Sequence, residues 1–421
     1  MIFKTPPETP LTDNITFVVT DDCNLRCKYC YETKKKENDM TIATALKGVD
    51  YFFDTWKHKY DRVIFDFVGG EPFVRMDLLN AVIPYMLEKF NNQTEWKGIA
   101  FSFSTNGTRF NDPEVRQFIE KYNDYLSVGV SLDGCKAIHD INRNNSFDEL
   151  MNWFPYWRNH FPNGSTKSTL NHEAIPYVFE SVKFLESTCL DNIFMNTVYE
   201  DVWKEGDDKL FEEQLIKAAD YILDNKLYKY KHCSLFDIFL VNKIKMENNH
   251  NWCGCGSCMI ALDYQGNLYP CLRFKTLSKM EPLAIGNIFV DNGKLDYKKL
   301  LPFYFCHNTI NTPDCDNCEA NASCPNCTAF CYDETGSIFD RTDYMCKMHQ
   351  ARYRANVYYW NKMCEIENVT LDELQNQRFV GKDHQDEENI EPPRTNCTVC
   401  SDSIPDLNNI KTHDVVSRYD R

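Results

Sequence analysis

The chain has 421 residues, 43% hydrophobic and 14% aromatic, with 20 cysteines. That is long enough for one large domain and a smaller one. Its 46 basic and 62 acidic residues give a net charge of −16, and no Lys/Arg stripe runs along it, which argues against a nucleic-acid footprint.

The first residues, "MIFKTPPETPLTDN", hold no apolar core of a secretion signal, and no apolar run approaches a membrane span. A cytoplasmic location is therefore expected. There thiols stay reduced, and clustered cysteines bind metal or do chemistry more often than they form disulfides.

Six β-rich runs follow in order: "ITFVVT" (15–20), "RVIFDFV" (62–68), "GIAFSFST" (98–105), "YLSVGVSL" (125–132), the weaker "KSTLN" (167–171) and "NIFMNTVY" (192–199). Segments of helical length separate them. One is "MDLLNAVIPYMLEKF" (76–90), apolar at three- and four-residue intervals. Alternating strands and helices predict parallel β/α units, and six units make an incomplete barrel, because a full one needs eight. The fold expected is α/β: a partial (β/α)6 TIM-like barrel followed by a cysteine-rich domain. The run Lys34, Lys35, Lys36 reads as a solvated loop.

Residues 208–245 read as helical, with Leu210, Phe211, Leu215, Ala218, Ala219 and Ile222 along one packing face. From Cys253 to Cys346 the character changes: eleven cysteines fall in 94 residues, with few apolar runs. Such a stretch builds little core, so bound metal is expected to hold it. A further helix is predicted over 347–367, and then a polar tail carrying Cys397 and Cys400. The expected divisions are a barrel over 1–205, a helical bridge over 206–250, a cysteine-rich domain over 251–365 and a tail over 366–421. The first strand near residue 15 leaves no room ahead of it for a separate peptide-recognition domain.

Within "DDCNLRCKYCYE" (21–32), Cys23, Cys27 and Cys30 lie in eight positions. A structural zinc site wants four ligands, usually as two pairs; here one loop offers three, with no fourth nearby. A [4Fe–4S] cube on three thiolates leaves one iron free for a small molecule. The loop follows the first predicted strand, at the carboxyl end where barrel sites sit.

The C-x3-C-x2-C spacing, with Tyr29 before the last cysteine, resembles the signature of radical S-adenosylmethionine (radical SAM) enzymes. "GGEP" (Gly69, Gly70, Glu71, Pro72) follows the second strand. "STNG", with Ser104 and Asn106, follows the third. "SLDG", with Ser131 and Asp133, follows the fourth, and then comes "HDINR", ending in Arg143. Each alone is ordinary turn chemistry; four in order, each ending a strand, are hard to reach by chance. The resemblance implies that Gly69, Gly70, Glu71 and Pro72 lie at the methionine amino group of the cofactor, and that Ser104 and Asn106 lie at the ribose. It also implies that Ser131 and Asp133 line the cofactor site, with Arg143 holding the cofactor carboxylate.

A second array runs through Cys253, Cys255, Cys258 and Cys271, then Cys306, then Cys315, Cys318, Cys324, Cys327, Cys331 and Cys346. It resembles the SPASM extension of radical SAM peptide maturases, which carries two auxiliary [4Fe–4S] clusters. By that resemblance Cys315, Cys318, Cys324 and Cys346 hold the outer cluster. Cys258 and Cys271 hold the inner one with Cys253 or Cys255. The last inner ligand falls at Thr328 in the usual spacing, so Cys327, or else Cys331, takes its place. On residues alone, the C-x2-C pairs also suit zinc. Cys135, Cys189, Cys233 and Cys364 read as packing residues.

The resemblance implies three [4Fe–4S] clusters, S-adenosylmethionine, and an external one-electron donor such as flavodoxin or ferredoxin. Reductive cleavage of the cofactor would yield a 5′-deoxyadenosyl radical that takes a hydrogen atom from substrate. The expected activity is maturation of a ribosomally made, Cys-containing precursor peptide by a thioether crosslink. The alternatives are formylglycine formation in a sulfatase and another radical peptide oxidation such as carbon–carbon crosslinking. Formylglycine formation needs a general base, for which neither Asp263 nor Asp343 can be argued from sequence.

Overall fold

The structure, a computed structural model, describes residues 12–32, 38–56, 60–241, 254–256, 259–304, 313–321, 324 and 327–380. Ten strands form one sheet in the order β10-β9-β8-β1-β2-β3-β4-β5-β6-β7. Its centre is the six predicted strands: β1 (Thr12–Thr20), β2 (Arg62–Gly69), β3 (Gly98–Thr105), β4 (Leu126–Ser131), β5 (Thr166–Leu170) and β6 (Asn192–Thr197). All neighbouring pairs among them are parallel. Six parallel strands with intervening helices are the partial (β/α)6 barrel that the alternation predicts.

The helices of this half are α1 (Ile42–Asp50), α2 (Met76–Asn91), α3 (Pro113–Tyr122), α4 (Lys136–Asn142), α5 (Phe147–His160) and α6 (Val178–Glu186). Side chains alternate across a strand. On one face Phe17, Phe65 and Phe67 pack with Phe52, just after α1, and with Trp96 from the loop between α2 and β3. On the other, Thr16 faces Asp66, both buried.

The bridge departs from the long helix predicted. The helix α7 (Asp207–Asp224) buries Phe211, Leu215, Ala218, Ala219 and Ile222 as its periodicity requires. It stops at Asn225, and Lys226 then takes a left-handed backbone, φ 53°, which ends helical propagation. The chain turns back into a short strand, β7 (His232–Cys233), on the edge of β6.

The cysteine-rich region joins the other side of the same sheet. The strand β8 (Met259–Leu262) pairs parallel with β1, and β9 (Asn267–Tyr269) and β10 (Gly286–Asn287) extend the edge. Asp263 holds the β8–β9 turn by accepting from the backbone N–H groups of Gln265 and Asn267 and from the Tyr269 hydroxyl. The remaining helices are α8 (Tyr297–Leu300), α9 (Pro313–Asp316), α10 (Thr328–Thr335), α11 (Cys346–Glu367) and α12 (Leu371–Val380). The core of this region is small: Ala261, Tyr269, Phe274, Phe303, Ala329 and Ile338 with Cys255. Packing roles suit Cys135, Cys189, Cys233 and Cys364, which lie in or against the main core. No described helix is long and apolar enough to cross a membrane.

Candidate active site at the strand ends

Parallel pairing puts the ends of β1 to β4 on one side of the sheet, and the four sequence motifs with them. The cysteine loop begins where β1 ends. Thr20 Oγ1 accepts from the Asp22 N–H at 2.9 Å. The loop is then fastened to the segment after α4: Lys28 N–H donates to the Asn142 carbonyl at 3.0 Å, and Arg26 N–H to Asn144 Oδ1 at 3.0 Å. Cys30 N–H closes onto the Cys27 carbonyl at 3.2 Å. Cys23 is buried, and Cys27 and Cys30 are half-buried.

The two glycines of "GGEP" are needed because they touch this loop. A Cβ on Gly70 would lie 1.9 Å from the Asp22 carbonyl oxygen and 2.7 Å from Cys23 Cβ; one on Gly69 would lie 2.2 Å from the Thr20 oxygen. Both clashes are with backbone, so no side-chain rotation relieves them. Gly70 and Glu71 donate their N–H groups to Thr20 and Asp22 at 3.0 and 2.9 Å.

Glu71 is 1% exposed. Its oxygens accept from Thr105 Oγ1 at 2.7 Å, Asn106 N–H at 2.8 Å and Phe73 N–H at 3.2 Å. Burial pushes its carboxyl above the usual range, and these donors offset only part of that. Glu71 thus ties the end of β2 to the end of β3. Pro72 is buried beside it, while Ser104 is exposed on β3 and Ser131 half-buried at the end of β4.

Three donors reach the cysteine sulfurs; the Leu25 N–H lies 3.4 Å from Cys23 Sγ. Asn106 Nδ2 lies 3.9 Å from Cys23 Sγ and donates to Asn24 Oδ1 at 2.8 Å. Arg143 Nη1 lies 3.9 Å from Cys27 Sγ. Arg143 also pairs with Asp133 at 3.0 Å and lies 5.3 Å from the centre of the Tyr29 ring. Tyr29 donates its hydroxyl to Asp133 at 2.6 Å, and Asp133 is wholly buried. Burial opposes the Arg143 charge, but Asp133, Tyr29 and Cys27 together hold it above its usual range. Burial likewise raises Tyr29 well above an ordinary phenol, with Asp133 adding to the rise. N–H donors and a fixed cation aimed at thiols favour thiolates, the form in which cysteine binds iron. The three thiols of this loop therefore fit a [4Fe–4S] cluster.

The second array separates into two groups. Cys324 lies in the field of Cys346, Cys315 and Cys318, with Arg341 beside it; burial raises its thiol to about 11. Cys346 feels Cys315, Cys318 and Arg341 in turn. Arg341 keeps a buried Nε without a hydrogen-bond partner among the described residues, and Gln350 Nε2 reaches Cys318 Sγ at 3.6 Å. Four thiols under an unsatisfied donor fit a sulfide-rich anionic cluster. In the other group Cys271 and Cys327 pack against the small core that contains Cys255. Cys331 is buried one turn further along α10 and lies outside that core set. Cys253, Cys258, Cys306, Cys397 and Cys400 lie outside the described residues.

Several residues of the site received no role from the sequence. Thr105, Asn24 and Thr108 complete the network around Asn106. Asn142 and Asn171 exchange amide hydrogen bonds at 3.2 and 3.1 Å beneath the loop. Thr105, Asn24 and Asn142 lie inside the motif stretches, and Thr108 and Asn171 just past the ends of β3 and β5.

Residues 17–176 match the Radical SAM superfamily, and the chain carries a radical SAM domain. It is 27% identical over 312 residues to the Cysteine-type anaerobic sulfatase-maturating enzyme of Clostridium novyi, over 65% of this chain and 80% of that one. One other curated relative is matched over only 56% of its own length. Among solved structures, anSMEcpe with bound AdoMet and Cp18Cys peptide superposes with a TM-score of 0.62 at 18% identity, covering 86% of this chain and 99% of the other. Streptococcus suis SuiB bound to precursor peptide SuiA gives 0.54 at 15%, covering 80% and 75%. Residues 17–176 thus carry a radical SAM domain, a class of domain that takes S-adenosylmethionine and a [4Fe–4S] cluster.

Proposed function

We propose that this enzyme matures a ribosomally made, Cys-containing precursor peptide by joining a cysteine sulfur to a carbon of another residue. The observation that carries this reading is the pairing of two thiol sets across one short segment. Residues 271–276 run from Cys271, in the inner group, to contacts with Asp21 and Glu32, which flank the Cys23–Cys30 loop. A peptide thiol held there would lie between a site for hydrogen abstraction and a site for electron acceptance. The similarity to a maturase with a bound Cys peptide and to SuiB with its precursor peptide supports a peptide substrate.

When bound, the cluster at Cys23, Cys27 and Cys30 with S-adenosylmethionine supplies hydrogen-atom abstraction, and auxiliary clusters at Cys255, Cys271 and Cys327 and at Cys315, Cys318, Cys324 and Cys346 supply an electron acceptor. The chain's own residues do the rest. Gly69 and Gly70 let the backbone pack onto the cysteine loop. Asn106 and Arg143 orient and charge-match its sulfurs. Asp133 and Tyr29 hold Arg143 in place, leaving guanidinium N–H groups for a carboxylate.

Formylglycine formation is the second reading, favoured by the likeness to the Clostridium novyi enzyme. It requires a carboxylate free to take a proton. Those around the site have protein partners: Asp21 with Lys275, Glu32 with Thr276, Glu71 with Thr105, Asp133 with Arg143, Glu200 with Arg273. Asp263 is spent on its turn, and Asp343, whose backbone carbonyl accepts from the Cys346 N–H, has an exposed side chain. Thioether closure has no such requirement if the thiol ionises at a cluster.

The test is anaerobic turnover with S-adenosylmethionine, a reductant and two panels of peptides, Cys-rich precursors and sulfatase-derived sequences. A two-hydrogen mass loss with one alkylatable thiol gone supports the proposal. A product aldehyde that reacts with hydrazide, formed only from the sulfatase panel, replaces it with the second reading.

A further inference from the structure

The inner face of the sheet carries a lysine that no motif marks. Strand register and alternation fix which residues share that face. Thr105, Val130, Thr166 and Ile193 pair in one row across β3 to β6, and all are buried. Val130 and Ile193 belong to the main core. The next row, Ser131, Lys167 and Phe194, therefore faces the other way. Thr169 and Asn196 pair one step further along on that same side, and Ser104 joins them through its partner Gly129, two residues before Ser131.

Parallel strands are ordinarily covered on both faces, and a closed barrel is filled with branched side chains. Here the inner face holds Ser104, Ser131, Thr169 and Asn196 around Lys167. Ser104, Lys167 and Asn196 are exposed, although β5 is paired on both sides. None of these five side chains makes a hydrogen bond or ion pair among the described residues. On the opposite face of β5, Ser168 donates to the Leu132 carbonyl at 2.6 Å. The inner face is thus open, and its polar groups await a ligand.

An ammonium offers three donors and no acceptor, and the Asn196 amide and Thr169 hydroxyl can add theirs. The ligand that satisfies such a group is a carboxylate. The place adjoins the reaction end: the Thr169 N–H donates to Asp133 Oδ1 at 3.0 Å, and Asp133 holds Arg143 and Tyr29. Arg143 is already assigned to the cofactor carboxylate, which leaves Lys167 for the substrate. The chain as a whole carries −16, so a local cation is what lets an acidic segment settle here.

We propose that Lys167, with Thr169 and Asn196 beside it, binds a carboxylate side chain of the substrate peptide, so that the enzyme selects precursors with Asp or Glu near the reacting cysteine. The inference rests on the peptide-maturase reading above and names what that peptide carries. Binding forms and breaks no covalent bond.

The test pans a displayed library of random Cys-containing peptides against the full chain, purified without oxygen and supplied with S-adenosylmethionine. Wild type, Lys167→Gln and Lys167→Glu are compared. Wild type is expected to enrich Asp or Glu over Asn or Gln about tenfold at a set distance from the cysteine. Lys167→Gln loses that preference. Lys167→Glu turns it toward Lys or Arg, a reversal that misfolding cannot produce. Peptides enriched without an acidic preference, or with the same preference in all three proteins, overturn the inference and leave the peptide-maturase reading standing. No peptide enriched by wild type overturns both.

Discussion

The barrel end and the cysteine-rich region both gather thiols, but they are built differently. At the barrel end, the cysteine loop is pinned by backbone hydrogen bonds from β1, by the Gly69–Gly70 contact and by the segment after α4. Its geometry is fixed by an aromatic core that needs no metal. In the cysteine-rich region, a core of a few side chains supports two thiol groups. There the ligands themselves must supply much of the stability once metal binds. The first loop is held by the folded barrel around it, while the second region depends more on what it binds.

The sharpest way to break this contrast is at Gly70. Gly70→Ala drives a methyl into the Asp22 carbonyl and Cys23. We expect loss of the iron bound by Cys23, Cys27 and Cys30, and activity down by about a hundredfold or more, with the outer cluster retained. Overpacking alone costs about 1–3 kcal/mol, so the fold survives. Iron content and circular dichroism of the variant check this; normal iron would show that the loop tolerates displacement.

The seam between the regions comes next. Asp21 and Lys275 form a buried pair, and removing one partner strands a buried charge, at about 3–5 kcal/mol. Lys275→Met should destabilise more than the double change with Asp21→Asn. Denaturant unfolding of both variants checks the order.

Two buried titratable groups give opposite pH responses. His139 is buried, and burial lowers its pKa to about 4. Its Nδ1 accepts from the Asp133 N–H at 3.3 Å and its Nε2 contacts Ser146 at 3.1 Å. Its folded pKa lies below the unfolded value of about 6.5. Its contribution is therefore intact above that pH and is lost as pH falls toward 4, about 3 kcal/mol in all. Glu186 is raised by burial to about 7, although Lys231 opposes the rise, and its Oε2 has no hydrogen-bond partner among the described residues. Its folded pKa lies above the unfolded value of about 4.3, so stability falls as pH rises from there to about 7, by at most about 3 kcal/mol. The two windows overlap, so their slopes largely cancel in wild type; Glu186→Gln should leave stability rising with pH between about 4 and 6.5 through His139. Thermal melts of wild type and variant at a series of pH values check this; a variant whose pH profile matches wild type would contradict the Glu186 assignment.

Much of the barrel was legible because its signals are local. Alternation marked six strands, and the gaps after them carried the motifs. The strands β7, β9 and β10 have two or three residues each, too few for any periodicity to register, so the extension of the sheet at both edges was hidden. The end of α7 turns on one residue, Lys226, whose left-handed backbone has no strong sequence mark. At the site, "GGEP" pointed to the right place, but the tie from Glu71 to Thr105 and Asn106 depends on how the ends of β2 and β3 meet. Arg273, Lys275 and Thr276 reach partners more than seventy and up to 254 positions away. No local pattern encodes such contacts. The placing of Cys327 against the small core and of Cys331 one turn along α10 likewise depends on where that helix starts, which the cysteine spacing does not encode.

The most direct test of three thiol sets in one chain is metal content and the visible spectrum of protein purified without oxygen. About twelve irons, falling to about eight when Cys23, Cys27 and Cys30 are replaced, is the result this account predicts. One to three zinc ions in a colourless protein would contradict it.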